Sequence, residues 1–124
     1  MNNILLIAIG GAIGSVGRYG CQKWIYQLFP HPFPLGTFVV NILGSLLIGL
    51  FYGLSEKGNI MSPEWRIFLT TGLCGGYTTF STFSFESLVL LKEGNYGYAL
   101  LYIVLSVLLG LMAVWFGMII VKAM

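Results

Sequence analysis

The chain has 124 residues, 57% of them hydrophobic and only 8% charged, with a formal net charge of +2. A soluble domain carries about 25% charged residues, so this composition excludes an ordinary water-soluble globule and makes lipid the natural solvent. The six Lys and Arg form no basic stripe that could track phosphates, which excludes nucleic acid as a partner.

A single transmembrane domain over 1–124 is expected, built from four helices. The first covers about 3–28. Its uncharged run, residues 2–17, reaches the roughly 20 residues of a span only if Arg18 lies inside the helix. The closely spaced Pro30, Pro32 and Pro34 then stop it. No secretory signal is expected, because a basic n-region is lacking and three more spans follow. Gly10, Gly14 and Gly17 recur on neighbouring turns, as do Gly49 and Gly53 on the second helix, and read as packing positions where helices approach closely in lipid.

The second helix covers about 34–55, uncharged throughout, with Pro34 at a favoured start position. The third covers about 63–91 and opens on Ser62-Pro63-Glu64, a cap, a first-turn proline and an acid near the positive pole of the helix. The fourth covers about 96–122 and ends at Lys122. The loops left over, 30–34, 56–62 and 92–95, give no room for an extramembrane active site. Cys21 and Cys74 both fall inside apolar segments and read as small buried hydrophobes.

Cytoplasmic loops carry the excess of Lys and Arg. With four spans, Lys57, Arg66 and Lys122 share one side, and Lys23 and Lys92 the other. So small a bias commits the chain to neither orientation and would permit an antiparallel pair of identical subunits.

The third helix carries the strongest signal. Gly75-Gly76 followed by Thr78-Thr79 is poor helix material in mid-span, and a break is expected near 75–79. Non-helical backbone at that depth must be buried in protein or line a cavity. Freed carbonyls there suit a small cation, and freed N–H groups an anion. Phe80 and Phe83 share a face three residues apart, next to hydroxyls at Thr78, Ser81, Thr82 and Ser84. A phenyl ring presents a positive edge that can meet an anion without holding it tightly. Asn41 is the polar outlier of the second span, and Tyr102, Ser106 and Gly110 make a weak polar face on the fourth. Arg18, ionisable within a span, reads as an attractor of anions into a vestibule. Glu86 is expected to partner a basic or hydroxyl group.

Taken together, these segments resemble the Fluc fluoride channels, also called the CrcB family, over essentially the whole length. The matching motifs are Gly10-Gly11-Ala12-Ile13-Gly14 through Arg18-Tyr19, then Gly36-Thr37-Phe38-Val39-Val40-Asn41-Ile42-Leu43-Gly44-Ser45, then Gly75-Gly76-Tyr77-Thr78-Thr79-Phe80-Ser81-Thr82-Phe83. The resemblance implies an all-α, antiparallel, dual-topology homodimer with two pores. It implies passive, highly selective export of fluoride across a bacterial inner membrane, relieving fluoride toxicity. Asn41, Phe80 and Phe83 would be pore residues; Thr37, Thr82, Tyr102 and Ser106 would line a polar track, with Ser81 near the vestibule. A structural Na⁺ on the two-fold axis would be held by backbone carbonyls of Gly75 and Thr78 from each subunit. Gly110 departs mildly, standing where the polar face could have carried a hydroxyl.

Two rivals fit less well. A small proton-coupled drug exporter needs a carboxylate in its first span, and no acid precedes Glu56. A membrane scaffold explains the glycines but not the mid-span break with its hydroxyls. Enzymatic activity is not expected: His31 is the lone histidine, there is no Asp, and no nucleophile–base pair can be assembled.

Overall fold

Three long apolar helices frame the computed structural model, which describes residues 2–58 and 60–124. They are α1 (Asn3–Leu28), α2 (Leu35–Glu56) and, last in the chain, α6 (Tyr96–Lys122), each long and apolar enough to cross a membrane. At 1.5 Å per residue α6 alone reaches about 40 Å, more than a bilayer's hydrocarbon core of about 30 Å. The loop expected over 56–62 includes residue 59, which lies outside the described residues.

The remaining segment is helical in pieces. It begins as α3 (Pro63–Ile67), capped by the Ser62 side chain with proline in the first turn. It continues as a π-helical stretch over Phe68–Cys74 and a last turn, α4 (Gly75–Tyr77). Thr78 and Thr79 are then extended, with φ/ψ of −91°/161° and −150°/120°. Helix resumes as α5 (Phe80–Lys92), its first turn capped by the Thr79 hydroxyl, which accepts from Thr82 N–H.

Packing divides into two pairs. α1 lies along the π-helical stretch and α4, while α2 lies along α6. In both pairs the backbones approach so closely that only glycine fits. A Cβ on Gly76 would come 2.5 Å from the Gly11 carbonyl oxygen, and one on Gly117 would come 2.6 Å from that of Leu46. Small residues at such crossings allow the van der Waals contact that holds helices together in lipid. Gly10 and Gly14 belong to the first crossing; Gly17, whose Cβ would meet nothing nearer than 3.9 Å, does not.

α5 returns to α6 through Gly94, whose φ of +80° lets the Gly94 and Asn95 amides cap the carbonyls of Leu91 and Leu90. The hairpin encloses a small apolar core of Leu90, Ala99 and Tyr102, with Phe33, Phe38 and Phe83 packed against it.

Candidate functional site

The extended pair Thr78-Thr79 needs partners that a helix would have supplied, and α2 supplies them. Asn41 Oδ1 accepts from Thr79 N–H at 2.9 Å, and Asn41 Nδ2 donates to the Thr79 carbonyl at 3.1 Å. In an unbroken helix, Thr79 N–H would have served the carbonyl of Gly75. Likewise Thr82 N–H is taken by Thr79 Oγ1 at 3.2 Å rather than by the carbonyl of Thr78. The carbonyls of Gly75 and Thr78 are thereby left without their helical donors. The Gly76 carbonyl, by contrast, accepts from Arg18 Nε at 3.1 Å, so a cation sits at the negative end of the helical run.

Beside the break lies an open groove of about 350 Å³. Asn41, Ser45, Thr78, Phe80, Phe83 and Ser106 all reach it, from α2, the break, α5 and α6. The structure thus gathers five residues singled out from the sequence: Asn41, Thr78, Phe80, Phe83 and Ser106. Phe80 is 79% exposed, a large ring lying over the groove with nothing of its own chain to cover it. It meets Phe83 at a centroid distance of 5.9 Å, Phe83 meets Tyr102 at 5.0 Å, and Tyr102 meets Phe33 at 5.4 Å. An aromatic row therefore leads from the groove into the α5–α6 core.

Two hydroxyls run beside that row one turn apart on α6. The hydroxyls of Tyr102 and Ser106 are buried and make no hydrogen bond among the described residues. Leaving a buried polar group unpaired costs about 1–3 kcal/mol, so two in adjacent turns suit a small polar partner such as water or an ion.

Thr37 and Tyr102 are fully buried, outside the groove. Thr37 Oγ1 donates to Glu86 Oε1 and accepts from Gln22 Nε2 at 3.0 Å. The Tyr26 hydroxyl donates to Glu86 Oε2 at 3.0 Å. Glu86 thus has hydroxyl partners. Ser81 and Thr82 sit in the first turn of α5, where Thr79 Oγ1 donates to Thr82 Oγ1 at 3.1 Å and Ser81 Oγ lies 3.5 Å from Thr79 Oγ1. Arg18 lies outside the groove lining, and Gly75 is exposed. Sequence reasoning did not find Gln22 and Tyr26; their spacing of one helical turn on α1 is the signal, and it is weak without knowing that Thr37 and Glu86 face them.

The freed carbonyls suit a cation by their chemistry, as neutral oxygens with free lone pairs. No cluster of His, Cys or acidic side chains suited to a metal occurs among the described residues.

Comparison with known proteins finds relatives over nearly the whole chain. The model of the family described as CrcB-like protein, Camphor Resistance (CrcB), matches residues 5–118. A protein of Flavobacterium psychrophilum, "Fluoride-specific ion channel FluC", is 55% identical over 122 residues, 98% of each chain. One of the same name from Bacteroides fragilis is 55% identical over 120 residues, 94% of each chain. Another from Geotalea uraniireducens is 44% identical over 124 residues, 100% of both. The name these relatives share is that of an ion channel, not an enzyme.

Proposed function

This chain belongs to the CrcB family, and from that premise we propose that it is a passive, highly selective fluoride channel that exports F⁻ and so relieves fluoride toxicity. The observation that carries the reading is the groove beside the break, where Asn41, Phe80, Phe83 and Ser106 converge on non-helical backbone within a multi-pass membrane protein. Ring edges of Phe80 and Phe83 and the unpaired hydroxyls of Tyr102 and Ser106 offer weak, serial contacts to a small, strongly hydrated anion. Such contacts replace water and still let the ion leave. Thr37, Ser81 and Thr82 continue the polar lining, and Arg18 draws anions toward it.

The working unit is an antiparallel homodimer with two pores. Two observations support this. The groove is open on one side and Phe80 is 79% exposed, whereas non-helical backbone such as that of Thr78 and Thr79 is costly against lipid and needs a protein cover. Charge is also almost evenly shared between the two sides, three Lys and Arg against two, which leaves both orientations open. In the dimer, the third segments meet with their breaks face to face mid-membrane. Gly75 and Thr78 of each copy would hold Na⁺ through their carbonyls, and the ion would supply a fixed positive charge between the pores. The protein's membrane is a bacterial inner membrane, a reading supported by helical spans and by bacterial relatives.

Liposomes containing the purified protein, loaded with potassium fluoride and diluted into fluoride-free buffer, test the reading. Fluoride is expected to leave quickly once valinomycin lets K⁺ follow, and slowly without it. Release that is indifferent to valinomycin would contradict passive conduction of the anion.

A further inference from the structure

From α2 the groove beside the break is lined by Asn41 and, one turn on, by Ser45. Asn41 is largely committed to the backbone of Thr79, accepting from its N–H and donating to its carbonyl. Ser45 is not committed. A hydroxyl on a helix can satisfy itself by donating to the carbonyl four residues back. In the third segment Thr70 does so to Arg66, Thr78 to Cys74 and Ser87 to Phe83. Ser45, half-buried in the groove wall, makes neither that bond nor any other among the described residues. Ser106, which lines the same groove from α6, has a buried hydroxyl that is unpaired in the same way.

A second observation comes from α6. Tyr102, Ser106 and Gly110 follow one another at intervals of one turn, so the row of hydroxyls on that face stops at Gly110. The room beside Gly110 faces α2. A Cβ built there would have a single neighbour within 4 Å, the Ser45 hydroxyl oxygen at 3.7 Å. The hydroxyl that α6 lacks at this level is therefore present from across the helix pair, because α2 lies along α6.

We propose that Ser45 contacts the anion: its hydroxyl takes the third place in the row begun by Tyr102 and Ser106 and donates to a passing fluoride. A serine hydroxyl carries one proton that turns to suit its acceptor, so it can receive a small anion from one side and release it on the other. The inference rests on the channel reading above and deepens it by naming a contact for the ion on α2.

The test is fluoride release from liposomes by Ser45→Ala, and by Ser45→Ala combined with Gly110→Ser, each shown by size-exclusion chromatography to match the unaltered protein in size. Ser45→Ala is expected to slow release roughly tenfold, the loss of one hydrogen bond to an ion, with the unfolding temperature unchanged. Moving the hydroxyl across to α6 is expected to restore most of the rate, since Gly110 has ordinary van der Waals room toward position 45. A serine that only packs would give an alanine variant as fast as the unaltered protein, or a slow one that Gly110→Ser does not rescue. Either result overturns the proposal while the channel reading stands, because the unaltered protein conducts. An unaltered protein that releases no fluoride overturns both. If the double variant does not fold, Ser45→Thr and Ser45→Val decide, because the two side chains share a shape and only threonine carries a hydroxyl. Release several-fold faster through the threonine variant is expected, and equal rates would overturn the proposal.

Discussion

Asn41 holds both polar backbone groups of Thr79, accepting from its N–H at 2.9 Å and donating to its carbonyl at 3.1 Å. A side-chain amide is the shortest group that offers one acceptor and one donor side by side, as a neighbouring strand would. It is this pairing that makes two extended residues affordable in the middle of a helical segment.

Asn41→Ala should therefore leave an N–H and a carbonyl unpaired. A loss of about 2–4 kcal/mol is expected from two such groups. Asn41→Asp keeps the acceptor for Thr79 N–H and loses only the donor, so its loss should be smaller, while its added negative charge should still abolish fluoride release. Thermal unfolding in detergent together with liposome flux checks both. Equal stabilities for the two variants would contradict the pairing.

Phe80 and Phe83 should separate stability from conduction. Phe80 is 79% exposed, so Phe80→Ala should change the unfolding of the single chain by no more than about 0.5 kcal/mol. Phe83 packs on Tyr102 at 5.0 Å, and Phe83→Ala should lose about 2 kcal/mol through the vacated space. Both should slow fluoride release. Unfolding in a denaturing detergent series, paired with flux, reads the difference.

At the α1–α4 crossing, Gly76→Ala should lower stability by about 1–3 kcal/mol, since its Cβ would sit 2.5 Å from the Gly11 carbonyl oxygen and neither backbone can yield. Gly20→Ala is the control: a Cβ there meets nothing within 4 Å, and α1 should be unaffected or slightly firmer. Melting temperatures in the same detergent compare them.

These contacts also mark how far the sequence could be read. Uncharged runs ending at Ser55 and Val121 show α2 and α6 plainly, because lipid tolerates few charges and the ends announce themselves. Gly75-Gly76 reads as the weak point of the third segment, yet both residues are helical and the extended residues are Thr78 and Thr79. The reason is tertiary. Gly76 is needed where α1 comes closest, and threonine is comfortable in extended backbone once Asn41 pairs with it. The π-helical stretch over Phe68–Cys74 has no local signature at all. Arg18 is visible as an ionisable group inside a span, but its hydrogen bond to the Gly76 carbonyl joins residues 58 apart. The Tyr26–Glu86 bond joins residues 60 apart, so single-sequence periodicity could not find it. The groove itself was legible as residue types, Asn41 with Phe80 and Phe83, because each is unusual for its span.

Replacing Na⁺ by N-methyl-D-glucamine should destabilise the dimer if the carbonyls of Gly75 and Thr78 hold the ion. A site filled at a hundredfold excess over its Kd contributes about 2.7 kcal/mol, and that is the loss expected on removal. Unfolding followed against Na⁺ concentration measures it. A melting temperature indifferent to Na⁺ would remove the ion from the account.

Selective passage of fluoride is tested most directly by the reversal potential of the purified protein in a planar bilayer, with fluoride and chloride gradients set in opposite directions. The current is expected to reverse at the equilibrium potential of fluoride and to ignore chloride. Reversal at the chloride potential, or midway between the two, would contradict a fluoride-selective path through Asn41, Phe80 and Phe83.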